Sequence, residues 1–211
     1  MRGPVEVRCL KSIDAAEIAG LHYMAFKDFF LTSLGERFLK AFYEAVLSHP
    51  LGIGIGIYAE DKLIGFAVGA KKGTGFYKSL VYKKGLSLAL AALPRLIVSP
   101  SKVNRLLTPL LGSEEVLYKD LPVLLSICVS DAHGASGIGR QLLRGFESEL
   151  LKHSCHEVVL TTDSQNNDYV NRFYVSNGYK QVQTFFQGTR EMNLYYRKLE
   201  NKMVRSEDME R

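Results

Sequence analysis

The stretch Val123-Leu124-Leu125-Ser126-Ile127-Cys128-Val129 decides the fold, together with Gly134-Ala135-Ser136-Gly137-Ile138-Gly139 and Arg140-Gln141-Leu142-Leu143 that follow it. An apolar run, a cluster of small residues and a return of helix formers read as strand, tight turn and helix. The first N–H groups of a helix lack intrahelical partners and sit at its positive end. Small residues let a phosphate approach those donors closely. A glycine pair can also do no more than permit a tight connection. Two nucleotide motifs fit poorly. A dinucleotide fingerprint needs G-x-G-x-x-G, whereas the order here is G-x-x-G-x-G; a P-loop needs Gly-Lys-Ser/Thr, which Gly139-Arg140-Gln141 does not provide.

A second stretch downstream reads Asn167-Asp168-Tyr169-Val170-Asn171-Arg172-Phe173-Tyr174-Val175-Ser176-Asn177-Gly178-Tyr179. Together the two stretches resemble the acetyl-CoA-binding segment of the GNAT (N-acetyltransferase) superfamily. That family shows an apolar strand ending in Val, then Arg/Gln-x-x-Gly-x-Gly/Ala, a helix, and Asn-x-x-Ala-x-x-Phe-Tyr-x-x-x-Gly-Phe. Asn167, Phe173, Tyr174 and Gly178 match in register, with Val170 in place of Ala and Tyr179 in place of Phe. The resemblance covers roughly residues 120–185. It departs at Gly134, where the family carries Arg or Gln. Arg140 either supplies the missing charge or is a solvated surface residue.

The resemblance implies an α/β (α+β) fold: a central mixed, mostly antiparallel sheet flanked by helices, here with a helical insertion between strands 3 and 4. It also implies a site for acetyl-CoA. The strand around Ile127 and Val129 would splay from its neighbour and bind the pantetheine arm. The loop opening at Gly134 would receive the pyrophosphate on backbone N–H groups of Ala135, Ser136, Gly137, Ile138, Gly139 and Arg140. A backbone N–H near Val129 would polarise the thioester carbonyl, and Asn167 would contact the cofactor arm. Tyr174 would be the general acid, because a neutral phenol with a pKa near 10 can protonate a departing thiolate; taken by itself Tyr174 reads first as a core aromatic beside Phe173, and its register with Asn167 and Gly178 reverses that order. The implied activity is direct transfer of an acetyl group to an amine: an amino sugar, a small amine or a protein amine. The competing class is a non-catalytic acyl-CoA-binding or membrane-surface module of the same fold. The general base stays open among His22, His133, Glu36, Asp28 and Asp131. Cys128, inside a strand, is a poor nucleophile. A homodimer would be in keeping with the family.

The remaining sequence fits this frame. A chain of 211 residues, 46% hydrophobic and 23% charged, suits one globular domain, expected over residues 1–200 and followed by a charged tail at 201–211. Cys9, Cys128 and Cys155 are too scattered for a disulfide framework or a metal site, so no metal is expected. With no apolar leader at Met1–Val7 and no membrane-length apolar run, a cytoplasmic location is expected. The net charge of +5 is concentrated. Residues 71–119 carry nine Lys and Arg against only Glu114 and Glu115. This basic insertion, about residues 73–119, reads as a packed helical elaboration, a lid, or a surface for an anionic or membrane partner. No nucleic-acid module accompanies it, and no nucleic-acid partner is expected.

Local patterns predict the elements. Strands are expected at Glu6–Leu10, Ile53–Tyr58, Leu63–Val68, Glu157–Thr162, Lys180–Phe185 and Met192–Lys198, in addition to Val123–Val129. A helix capped by Ser12 or Asp14 should run past His22. A second should be capped by Ser33, with Glu36 completing a capping box, and should stop before Pro50. Pro94 and Pro100 predict two or three short helices in the insertion.

Overall fold

A computed structural model describes residues 4–27, 29–98, 120–134 and 136–200. Seven strands form one sheet: β1 (Val5–Cys9), β2 (Gly52–Ala59), β3 (Lys62–Ala70), β4 (Val123–Val129), β5 (Glu157–Asp163), β6 (Lys180–Gln187) and β7 (Arg190–Lys198). Their order is β1-β2-β3-β4-β5-β7-β6, and every neighbouring pair is antiparallel except β4 and β5. The expected mixed, mostly antiparallel sheet is borne out. Glu60 and Asp61, both at positive φ, close the β2–β3 hairpin as a two-residue turn.

Helices α1 (Ala15–Ala25), α2 (Phe30–Ser33), α3 (Glu36–Ser48) and α4 (Phe76–Val98) precede β4. Helix α5 (Ile138–Lys152) joins β4 to β5, and α6 (Asp168–Ser176) joins β5 to β6. Alternation along the strands divides the core between two faces. Helices α1, α3 and α4 cover one face through Ile18, Leu39, Tyr43, Val46, Phe76 and Leu80, packed with Phe66 and Val68 of β3. Helices α5 and α6 cover the other through Leu142, Phe146, Leu150 and Tyr174, packed with Ile57, Ala67 and Leu160.

Two expected helix caps and the expected break at Pro94 need correction. Ser33 does not cap α3: it ends α2, where its hydroxyl donates to the Phe30 carbonyl, and Gly35 is the residue preceding α3, with no side-chain cap. Asp14 precedes α1 but receives the Lys11 N–H at 2.7 Å instead of capping that helix. In the insertion, the described residues form one helix that passes through Pro94. The carbonyl deprived of its N–H partner belongs to Leu90, on the solvent side where water can take the bond, so the proline is tolerated. The part of the insertion at 99–119 and the tail at 201–211 lie outside the described residues.

A buried polar cluster ties α5 to the C-terminal hairpin. Glu147 accepts hydrogen bonds from the Tyr179 hydroxyl and from Arg197, each at 3.0 Å, while Arg197 also donates to the Asn177 carbonyl. Burial raises the Glu147 pKa, and Arg197 and Tyr179 oppose that rise. Replacing Glu147 with Ala leaves the Tyr179 hydroxyl without its acceptor. The expected destabilisation is about 2 kcal/mol, read from the urea midpoint, with Tyr179→Phe losing about half as much.

Candidate active site

The site begins where two strands part. β4 and β5 pair only at Val123–Val159 and Leu124–Leu160. Beyond that point β4 stays with β3 as far as Val129, and β5 stays with β7 as far as Asp163. The register of β3 against β4 steps from Gly69–Leu124 to Val68–Ser126, so Leu125 is an extra residue, a β-bulge. A bulge bends and twists its strand. This one sits at the last β4–β5 pair and bends β4 away from its neighbour. The result is a wedge whose walls are the unpaired edges of residues 125–129 and 161–163.

The loop at the end of β4 is held by internal hydrogen bonds. Ser130 N–H donates to the Ile64 carbonyl at 2.9 Å, and Asp131–His133 forms a 3-10 turn. Gly134 N–H donates to the Asp131 carbonyl, so that donor is engaged within the loop. A Cβ at Gly134 would meet nothing nearer than that carbonyl, at 3.4 Å, so the position has room for the longer residue the family carries there. The Ser136 hydroxyl donates to the His133 carbonyl. Gly137 precedes α5 at φ +83°, a conformation that L side chains rarely adopt, and no side chain caps the helix. The first-turn N–H groups, including those of Ile138, Gly139 and Arg140, therefore open at the end of β4 with the positive end of a 15-residue helix behind them. Gly139 lets α5 approach α6: its Cβ would lie 3.5 Å from the Phe173 ring. Arg140 is exposed, Ile127 and Val129 pack partly buried on the α5 side, and Ala135 lies outside the described residues.

Across the wedge, Asn167 precedes α6 without capping it. Its amide nitrogen donates instead to Thr162 Oγ1 at 2.7 Å and to the Asp163 carbonyl at 3.1 Å. With both hydrogens engaged by β5, its Oδ1 is the remaining polar function. Tyr174 lies two turns along α6, its ring packed among Phe173, Tyr179 and Tyr195 at centroid distances of 5.4–5.7 Å. Among the described residues its hydroxyl has no hydrogen-bond partner. Burial, with Tyr195 beside it, pushes the phenol pKa well above its ordinary value, which keeps it protonated at neutral pH. Tyr174 is thus a core aromatic by its ring, with a hydroxyl that stays protonated and unengaged among the described residues.

The candidate bases are dispersed. His22 on α1 is buried, its Nδ1 is 2.6 Å from the Tyr43 hydroxyl, and its Nε2 has no partner among the described residues. Burial drives its pKa down to about 4. His133 shares a 2.8 Å hydrogen bond with Ser130. Glu36 and Asp131 are exposed, and Asp28 lies outside the described residues. Burial also pushes the Cys128 thiol up to about 12, which removes it as a nucleophile near neutrality.

One feature escaped the sequence. An open cleft of about 500 Å³ lies where β5 ends against the β6–β7 turn, lined by Asp163, Gln165, Phe186, Thr189, Arg190 and Glu191. Asp163 holds Arg190 through two hydrogen bonds, at 2.9 and 2.6 Å, and Glu191 accepts from Ser164 and Gln165. The cleft adjoins the wedge, because the Asp163 carbonyl also anchors Asn167. Its residues come from two separate stretches, 163–165 and 186–191, and follow no linear motif; the only hint in the sequence is the alternation Arg190-Glu191 opposite Phe186.

Comparison with known proteins agrees with this geometry. The model of the acetyltransferase (GNAT) family matches residues 110–179. No curated protein sequence matches the chain. Among solved structures, the ribosomal-protein-S18-alanine N-acetyltransferase of Escherichia coli is similar over 96% of this chain and 98% of its own, at 13% identity and a TM-score of 0.58. A candidate acetyltransferase from Salmonella typhimurium, crystallised with its cofactor acetyl-CoA, aligns over 95% of this chain and 96% of its own, at 16% identity and a TM-score of 0.56. The PaiA N-acetyltransferase of Thermoplasma acidophilum, in complex with coenzyme A, aligns over 92% and 99%, at 16% identity and a TM-score of 0.54. The resemblance to the GNAT superfamily is borne out, and the chain has the GNAT fold.

Two outcomes are expected. The His22 pKa is lower in the folded state than its ordinary 6.5, so the unfolded chain binds more protons between about pH 6.5 and 4. Stability from this group is full above about pH 6.5 and declines as pH falls toward 4, by about 3 kcal/mol in all. Urea unfolding between about pH 7 and pH 5 should slope less steeply for His22→Gln than for the wild type. Gly137→Ala forces a methyl-bearing residue into positive φ, and thermal unfolding should fall by about 2–4 °C, equivalent to about 1 kcal/mol.

Proposed function

We propose that this chain is an acetyl-CoA-dependent N-acetyltransferase that passes the acetyl group directly to an amine acceptor. The observation that carries this reading is the coincidence of the Leu125 bulge with the end of β4–β5 pairing, in front of the uncapped start of α5. An arm threaded through the wedge would find unpaired backbone edges on both sides. A diphosphate at its end would find the first-turn N–H groups of Ile138, Gly139 and Arg140. The residues present suit acetyl-CoA, which supplies an activated thioester.

In this reading the exposed N–H groups of β4, toward Val129, polarise the thioester carbonyl and stabilise the oxyanion that forms when the amine nitrogen attacks carbon. Asn167 Oδ1 accepts a hydrogen bond from an amide of the arm. Tyr174, neutral and uncommitted, protonates the sulfur as the C–S bond breaks, and the proton that the nitrogen sheds on becoming an amide returns through water to the phenolate, leaving the amide product and free thiol. The amine must arrive neutral or lose a proton on the way. The acceptor class extends from amino sugars and small amines to protein amines, and the Glu191 carboxylate beside the wedge favours acceptors that carry a second positive charge.

Calorimetric titration with acetyl-CoA tests the first half of this reading, with NADH as control; saturable binding of acetyl-CoA alone is expected. For the second half, Tyr174→Phe should lower kcat about 10²- to 10⁴-fold while acetyl-CoA affinity stays within about twofold. Intact binding with no turnover on any amine tested, in the wild type as in the variant, would favour a non-catalytic acyl-CoA-binding module.

A further inference from the structure

Helix α4 turns one face to the domain and the opposite face outward. Phe76, Leu80, Leu88 and Ala92 are buried against the domain, with His49 joining through a 3.0 Å hydrogen bond to Ser79 and an edge contact with the Phe76 ring. On the other side Tyr82 is 92% exposed, Leu86 77%, Leu90 61% and Leu93 49%. At about 100° per residue, these four side chains and Ala89 occupy a band roughly 100° wide. Lys78 borders one edge of the band and Lys83 the other, and both are exposed. No Asp or Glu occurs anywhere between Asp61 and Glu114.

This pattern selects its partner by chemistry. A row of leucines has nothing to gain from a nucleic acid backbone. A second copy of the chain would bring the lysine rows of two helices together. An anionic lipid surface satisfies both halves at once: phosphate for the lysines and the acyl boundary for the leucines. No described helix is long and apolar enough to cross a membrane, so α4 would lie in the plane of the surface. We propose that α4 is a membrane-surface anchor, lying among anionic headgroups with Tyr82, Leu86, Leu90 and Leu93 directed toward the acyl chains and Lys78 and Lys83 toward lipid phosphate. This inference stands apart from the acyl-transfer reading, since it uses none of the residues of the wedge.

The test is flotation of the full chain with vesicles of phosphatidylcholine alone and of phosphatidylcholine mixed with phosphatidylglycerol. The chain contains no Trp, so Tyr82→Trp adds a single fluorophore on the exposed face. The expected result is flotation with the mixed vesicles only, weakened by salt, with a blue shift of the Tyr82→Trp emission. The double substitution Leu86→Glu and Leu90→Glu should abolish flotation, while Lys78→Gln and Lys83→Gln should each weaken it about fivefold. Circular dichroism and acetyl-CoA titration of each variant should match the wild type, which separates loss of the anchor from loss of fold or cofactor binding. Any of three outcomes overturns the proposal. One is no flotation with mixed vesicles. Another is flotation unchanged by the two leucine substitutions. The third is a dimer, or an RNA complex, that depends on the stripe without vesicle binding.

Discussion

The parallel contact between β4 and β5 is two residue pairs long, and the rest of the molecule is arranged around that brevity. A sheet normally satisfies each backbone donor and acceptor by continuing the ladder. Here the ladder is abandoned halfway, at the Leu125 bulge, and both strands are stiffened from outside instead. β3 runs beside β4 along its whole length, and β7 does the same for β5. The two halves of the sheet meet at a hinge-like junction but are each rigid in themselves. An opening maintained in this way does not depend on a ligand to prise it apart, which lowers the ordering cost of filling it.

The two faces of the sheet have different duties. On the α5 and α6 side, Glu147 is matched with Tyr179 and Arg197, and Asn171 with Tyr195 and the Asp163 carbonyl, while the Tyr174 hydroxyl stays unengaged among the described residues. Such matching fixes α6 in rotation as well as position, and so fixes the direction of the Tyr174 hydroxyl. On the α1 and α3 side, His22 Nε2 and Thr32 Oγ1 are buried without partners among the described residues.

Much of this was legible in the sequence, and the reasons are local. Alternation gave β2 and β3 to within two residues at either end, because their Ile, Phe and Val positions must face a core on both sides. Val123–Val129, the loop at Gly137 and α5 follow from apolar patterning and small residues alone, and the Asn167–Gly178 register placed α6. The illegible features are those set by partners remote in the chain. Nothing within Leu124-Leu125-Ser126 announces a bulge, since the extra residue exists only relative to β3. The same holds for the cleft around Arg190 and Asp163, which requires β7 to lie beside β5. Ser33 was misread as a cap because Phe30 offered its hydroxyl an earlier carbonyl. Pro94 was misread as a break because the sequence does not say which side of α4 meets water.

The base of the insertion is pinned: Gly73 N–H donates to the Leu121 carbonyl at 2.9 Å, next to the first pairs of β3 with β4. The chain therefore leaves the sheet and comes back at one point, so everything between is a detour with a closed neck. Closing a detour of this length instead of a six-residue turn adds only about 2 kcal/mol of chain entropy. A modest penalty of that kind is within reach of a helix that buries Phe76, Leu80 and Ala92 on its host. The neck makes the detour a self-contained cassette: it can be lengthened, shortened or exchanged in evolution while β3 and β4, and the wedge they support, keep their register.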